Sequence, residues 1–368
     1  MQNLQIGNLI TKFPIIQGGM GVGISLSGLA SAVANQGGIG VISAAGLGLL
    51  YKKFSRNYAQ ASIMGLKQEL TKARAKTDGI IGVNIMVAMT NYADMVKTAI
   101  AEKADIIFSG AGLPLDLPSY LPEGSTTKLV PIVSSARAFK VIANKWKSSY
   151  NFLPNAVVVE GPKAGGHLGY KVDQIENTDY SLERILVEVL SEVKLMEAEY
   201  GVKIPIIAAG GIYTGEDIYK IMALGASGVQ MGTRFVTTDE CDASIAFKNT
   251  YMNAKEKDIV IIKSPVGMPG RAIQSVFIQQ VNLGNEQPKS CPFHCIKTCD
   301  ISKSPYCIML ALYNAFKGNF NLGYAFAGTN AYKAKAIQSV KETFLTLSVE
   351  FDLFSAKLKK ALPLRTLC

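Results

Sequence analysis

The chain has 368 residues, 48% of them hydrophobic and 18% charged, with a formal net charge of +10. That apolar content excludes an intrinsically disordered protein. No uninterrupted apolar run is long enough for a membrane span, and the start Met-Gln-Asn-Leu-Gln has neither the basic nor the apolar region of a secretory signal, so a cytoplasmic protein without membrane contact is expected. The basic residues are scattered, with no block interleaved with aromatics, which argues against nucleic acid and leaves anionic substrates or a carrier protein as compatible partners.

In chain order, short β-branched runs recur with helical stretches between them, a pattern that forces parallel strands joined by crossover helices. Eight such runs stand at residues 13–17, 40–43, 80–85, 105–109, 129–133, 156–160, 205–208 and 228–231. Eight is the number a TIM (β/α)₈ barrel requires, and the chain exceeds the roughly 250 residues of such a barrel by enough for one appended lobe. The first run leads into Gly18-Gly19-Met20-Gly21-Val22-Gly23, which is glycine-rich but does not match the G-x-G-x-x-G of an open dinucleotide-binding sheet. The last two runs sit in IPIIAAGGI and GVQMGTRF and end in glycines, where main-chain N–H groups and a helix start can hold a phosphate.

Beyond the last strand, residues 237–253 read as a helix opened by Thr and Asp capping groups. Residues 258–330 carry Pro265, Gly267, Pro269 and Gly270, then cysteines, then an aromatic and glycine-rich stretch, and read as an irregular lid. Ile337, Val340, Phe344, Leu347 and Phe351 follow at helical spacing. The expected organisation is therefore a barrel at 1–245, a lid or substrate lobe at 246–335 and a helix packing back within 336–368, the appended part being mainly helical.

His167, one of two histidines, stands in GPKAGGHLG directly after the sixth run, at the mouth of the expected barrel. Gly165, Gly166 and Gly169 let the backbone approach a flat ligand there, and an imidazole exchanges protons at neutral pH. The alternative is a histidine bonded to loop carbonyls. Cys291, Cys295, Cys299 and Cys307 fall within 17 positions. On a helix the first three would share one face, with Cys307 completing a shell for zinc or an iron–sulfur cluster and His294 as an alternative ligand. The other reading is reduced thiols packed as small apolar groups. Ser134 and Ser135 either point into the site or cap a helix. Lys263 and Arg271 either meet an anionic substrate over the mouth or are solvated. No H-E-x-x-H, Walker or nucleophile-elbow pattern occurs, which argues against zinc proteolysis, nucleotide hydrolysis and ester hydrolysis.

Taken in order, FPIIQGGM (13–20), GVNIM (82–86), GPKAGGHLG (161–169), IPIIAAGGI (204–212), VQMGTRF (229–235) and KSPVGMPGRA (263–272) resemble the flavin-dependent nitronate monooxygenases, formerly called 2-nitropropane dioxygenases, and their relatives the flavin-type enoyl-ACP reductases. The resemblance covers roughly residues 1–275 and implies bound FMN. It places Gly18, Gly19 and Met20 against the flavin ring and Asn84 in hydrogen bond with it. It places Gly210, Gly211, Gly232 and Thr233 on the phosphate, and makes His167 the active-site acid or base.

The monooxygenases oxidise alkyl nitronates to carbonyl compounds and nitrite with oxygen. The reductases pass hydride from NAD(P)H through FMN to an enoyl thioester. The motifs are common to both, although Gly19 stands where the best-studied monooxygenases usually have proline, and Q-G-G-M is common in the reductases. A cysteine-bearing lobe and the 24–35 segment look closer to the monooxygenase side, which is the reading adopted. A module that only holds flavin for electron transfer is the alternative of another class, and His167 in its glycine loop counts against it. Barrels of this kind often form homodimers.

Overall fold

A computed structural model describes residues 1–361; Cys368, to which the sequence assigns no role, lies outside the described residues. Each of the eight runs is a parallel strand: β1 Ile15–Gln17, β2 Gly40–Ser43, β3 Ile81–Met86, β4 Ile106–Gly110, β5 Lys128–Val133, β6 Val157–Glu160, β7 Ile206–Ala209 and β8 Gly228–Met231. They pair in the ring order β1-β8-β7-β6-β5-β4-β3-β2. The ring closes where Ile16 bridges Ile39 beside β2, with the Gln17 N–H donating to the Ile39 carbonyl at 2.9 Å.

The strands are apolar on both faces because both are covered. Ile16, Val41, Ile106, Phe108, Val130, Val158 and Ile207 pack together inside the barrel, over Leu4 and Ile6 of an N-terminal hairpin. Their neighbours Ile15, Ile42, Ile107, Leu129, Val157 and Ala208 join the core beneath the helices. Period-two alternation thus sorts two apolar layers rather than core from solvent.

Helices follow the strands at Ser27–Asn35, Tyr58–Arg74, Tyr92–Ala101, Ala136–Tyr150, Leu182–Tyr200 and Gly215–Ala223. The β4–β5 connection carries only the 3₁₀ turn Leu117–Tyr120. The long helix Val340–Ala361 lies against both Gly215–Ala223 and Ser27–Asn35, the place of the barrel's eighth helix. The Phe351 and Phe354 rings flank Tyr219 at 5.2 and 5.4 Å, and Phe344 meets Phe13 at 5.5 Å. The lobe is accordingly an insertion between β8 and the helix that covers the β8–β1 seam.

The helix expected over 237–253 is confined to Ile245–Asn253. The acidic residue read as part of its first turn works elsewhere: the Asp242 carboxylate accepts the N–H groups of Leu26 at 2.7 Å, Gly28 at 3.1 Å and Leu29 at 3.1 Å, capping the helix Ser27–Asn35 from a distant segment. The lobe holds the further helices Val276–Asn282 and Ile308–Phe316. It also holds a three-stranded antiparallel sheet that the sequence did not suggest, formed by Ile259–Lys263, Pro269–Ile273 and Gly166–His167. That sheet stitches the lobe to the loop after β6. Among the described residues no helix is long and apolar enough to cross a membrane.

Candidate active site

The C-terminal ends of the barrel strands and the lobe enclose a cavity of about 430 Å³, within the range of small-molecule sites. Every residue that the sequence singled out for cofactor or catalysis lines it: Gly18, Gly19 and Met20 after β1, Asn84 on β3, Gly165, Gly166 and His167 after β6, Gly210 and Gly211 after β7, and Gly232 and Thr233 after β8. At two of these glycines neighbours leave no room for a side chain. A Cβ on Gly19 would overlap that of Asn84, and one on Gly165 would lie 2.5 Å from the Ala327 and Gly328 backbone.

At one end of the cavity Gly210 and Gly211 both hold left-handed backbone, at φ 95° and 82°, which turns their N–H groups away from the strand direction. Gly232 caps the one-turn helix Thr233–Val236 beside them. The segment Ala327–Asn330 of the lobe closes over this end. Gly328 donates its N–H to the Thr233 hydroxyl at 2.9 Å, Asn330 donates its side-chain amide to the Gly211 carbonyl at 2.7 Å, and Thr329 donates its hydroxyl to the Lys163 carbonyl at 2.9 Å. Sequence reasoning missed this segment; its only signal was the alternation of glycine and aromatic residues in GYAFAG.

At the other end His167 is held by its ring. Its Nε2 lies 2.7 Å from the Ser264 hydroxyl, and its ring packs edge-to-face with Phe326, centroids 5.0 Å apart. Burial pushes its pKa down to about 4, so the ring is neutral at pH 7, with one nitrogen a donor and the other an acceptor. Glu160, at the end of β6 and also lining the cavity, is pushed the opposite way, up to about 7, by the same burial. The same burial thus favours the uncharged form of both groups, in one cavity. Glu160 was missed because a strand-end glutamate has no distinguishing pattern.

Asn84, Glu160 and Gln230 all line the cavity, and among the described residues none has a side-chain hydrogen-bond partner in the protein. A planar ligand with polar edges, carrying a phosphate toward Gly210 and Gly211, fits this arrangement of unpaired amides and carboxyl around bare glycine backbone.

Other expectations resolve differently. Ser134 and Ser135 both line the cavity, and Ser135 also caps the helix Ala136–Tyr150, accepting the Ala138 N–H at 3.2 Å. Arg271 does not reach the mouth. It is 3% exposed, and its guanidinium donates to the Pro162 and Ala164 carbonyls, holding the loop that carries His167. Lys263 is exposed on its strand and is not part of the cavity lining.

The cysteine segment is not a helix, so Cys291, Cys295 and Cys299 share no helical face. It runs instead beside the loop after β3: Ile296 bridges Met89, the Thr90 N–H donates to the Cys295 carbonyl at 3.2 Å, and the Lys297 N–H donates to the Ala88 carbonyl at 2.9 Å. His294 takes left-handed backbone, with φ 43°, and its carbonyl accepts the Thr90 hydroxyl. These long-range bonds satisfy the backbone that a helix would have satisfied internally. The thiols are free, and among the described residues no three His, Cys, Asp or Glu side chains converge to hold a metal. Zinc or an iron–sulfur cluster therefore finds no formed shell among the described residues.

Fold and site together define a barrel enzyme whose cavity is walled by the glycine turns after β7 and β8 and by a neutral, anchored imidazole. The family description "Nitronate monooxygenase" matches residues 3–350. The chain belongs to the nitronate monooxygenase family, a family of flavin-dependent oxidoreductases.

It is 29% identical over 75% of its length to a "Probable nitronate monooxygenase" of Staphylococcus saprophyticus, covering 79% of that protein. It is 28% identical over 74% of its length to a Mycobacterium tuberculosis protein, "(3aS,4S,5R,7aS)-5-hydroxy-7a-methyl-1-oxo-octahydro-1H-indene-4-carboxyl-CoA dehydrogenase", and spans 66% of it, just under two thirds. Among solved structures, FabK from Thermotoga maritima superimposes with a TM-score of 0.72 at 27% identity, covering 96% of each chain.

Proposed function

We propose that this chain is an FMN-dependent oxidoreductase acting on a small anionic substrate, with oxidation of alkyl nitronates to carbonyl compounds and nitrite as its reaction. The observation that carries the reading is the juxtaposition of His167 with the glycine cradle in one cavity. Gly210, Gly211, Gly232 and Thr233 would hold the FMN phosphate through main-chain N–H groups. Gly18, Gly19 and Met20 would line the ring, and Asn84 would bond its polar edge. When bound, FMN supplies electron acceptance from substrate and delivery to oxygen.

The protein's own part is to bind, orient and manage protons. His167, uncharged at neutral pH, would exchange one proton with substrate without adding a fixed cation to the cavity. The lobe contributes Phe326, Ala327 and Gly328 to the cavity wall.

A second reading, NAD(P)H-dependent reduction of an enoyl thioester, is favoured by one contact: Asn84 occupies the space that a side chain at position 19 would need, so this site is built around Q-G-G-M. An anaerobic titration of the flavin spectrum separates the two. Bleaching by a small alkyl nitronate and not by NADH or NADPH supports the monooxygenase; bleaching by a nicotinamide alone overturns it in favour of the reductase.

A further inference from the structure

Two cations stand at the glycine turns after β7 and β8 without a carboxylate to balance them. Lys163 lines the cavity. A Cβ on Gly211 would lie 2.9 Å from the Lys163 Cβ and 3.1 Å from its Cδ, so the lysine stem runs over that turn. Its backbone is pinned there, because its carbonyl accepts the Thr329 N–H at 3.2 Å and the Thr329 hydroxyl at 2.9 Å. Arg234 stands two residues past Gly232, as Tyr213 stands two past Gly211, and its guanidinium lies 5.1 Å from the centroid of the Tyr213 ring. Neither of these two side chains lines the cavity, so their contact joins the turns from behind.

The partners of Arg234 are neutral. Its Nη1 and Nη2 meet the side-chain oxygen of Gln338, oriented to accept them, at 3.2 and 3.1 Å, while Nε is buried without an acceptor. Among the described residues neither Lys163 nor Arg234 forms an ion pair. A half-buried guanidinium balanced only by an amide and a ring keeps its full charge and lacks the partner that such groups ordinarily have. Glu160 is the one acidic residue of the described cavity lining, and burial favours its uncharged form. The turns therefore carry two uncompensated positive charges in addition to the partial charges of their N–H groups.

We propose that Lys163 and Arg234 form a two-cation clamp, one in front of the turns and one behind, that makes this end of the cavity selective for a phosphate dianion, and so for FMN over riboflavin. The inference rests on the reading that the FMN phosphate sits between these turns. Lys163 is the mobile charge on the cavity side; Arg234 is fixed by Tyr213 and Gln338 and acts through space. The competing account is a solvated lysine and an arginine that only packs.

Riboflavin, which has the same ring and no phosphate, separates the two accounts. Binding of each flavin to the full chain freed of flavin is read by quenching of flavin fluorescence. Lys163→Met and Arg234→Met should each lower the preference for FMN over riboflavin by about tenfold, the worth of one partly screened charge pair, with riboflavin affinity retained. Lys163→Arg and Arg234→Lys, which keep the charge, should retain most of the preference. A preference that either methionine variant leaves unmoved overturns the clamp, as does an equal loss for both flavins, which is what a packing role predicts. Lys163 is exposed, so its variants decide the matter even if Arg234→Met does not fold.

Inorganic phosphate gives a readout that needs no flavin. At constant ionic strength it should raise the Tm of the flavin-free wild type and not that of Lys163→Met. Protection by phosphate in a chain that binds neither flavin would sink the FMN reading and leave the clamp standing. FMN binding whose preference ignores both charges would do the reverse.

Discussion

Gly19 and Asn84 are packed so closely that a Cβ added to the first would overlap the Cβ of the second and lie 3.0 Å from its Cγ. Asn84 is on β3 and Gly19 follows β1, so the contact spans the mouth of the barrel. Gly19→Ala should push the Asn84 amide out of the cavity, an overpacking cost of about 1–3 kcal/mol. FMN affinity, read by quenching of flavin fluorescence, should weaken roughly tenfold or more. Unchanged affinity would remove Asn84 from the flavin site.

His167→Asn keeps a polar group of similar reach but no exchangeable ring proton. Turnover should fall by about 10²–10⁴. The visible flavin spectrum should remain. Retained turnover would reduce the cavity to a flavin holder without acid–base chemistry.

Glu160 and His167 impose opposite pH dependences on stability. For Glu160 the folded pKa of about 7 lies above the ordinary value of 4.5, so its contribution is full below pH 4.5 and is lost as pH rises through 7. For His167 the folded pKa of about 4 lies below 6.5, so its contribution is present above pH 6.5 and is lost as pH falls through 4. Thermal melts of ligand-free Glu160→Gln and wild-type protein at pH 5 and pH 8 check the first. The variant should gain relative to wild type as pH rises, and a difference independent of pH would contradict the assignment.

Arg271→Leu leaves the buried Pro162 and Ala164 carbonyls without their donor and should cost about 2–4 kcal/mol in denaturant unfolding. Arg271→Lys should recover little of that, because an ammonium cannot reproduce the fork of a guanidinium. A neutral outcome for Arg271→Leu would mean that the loop carrying His167 is held by its strand pairing with Pro269–Ile273 alone.

Alkylation with mass-spectrometric readout tests the cysteine lobe. Burial pushes the Cys295 thiol up to about 12 and raises that of Cys307 as well, so both should react slowly, while the part-exposed Cys291 and Cys299 should react first. Protection of all four, relieved by a chelator, would restore a metal at this site.

The eight strands were legible because parallel strands covered on both faces read as short, unbroken apolar runs. The cavity lining was legible where glycines gather at strand ends, since close approach of neighbouring chain leaves no room for a side chain at 19, 165 and 210. The helix over 237–253 was overextended because Asp242 carries the pattern of a local cap but serves the helix Ser27–Asn35. The cysteines looked helical by spacing, yet their backbone bonds go to the loop after β3.

Local sequence determined the barrel, its mouth and the presence of a histidine there, because burial, chain turning and glycine's freedom each leave a mark within a few residues. Only the tertiary structure decided how that histidine is held and what closes over it. Ser264 is 97 positions from His167, Arg271 is 109 from Pro162, and Asn330 is 119 from Gly211. A hydrogen bond between loops so far apart depends on where the whole fold brings them, and no local periodicity records it.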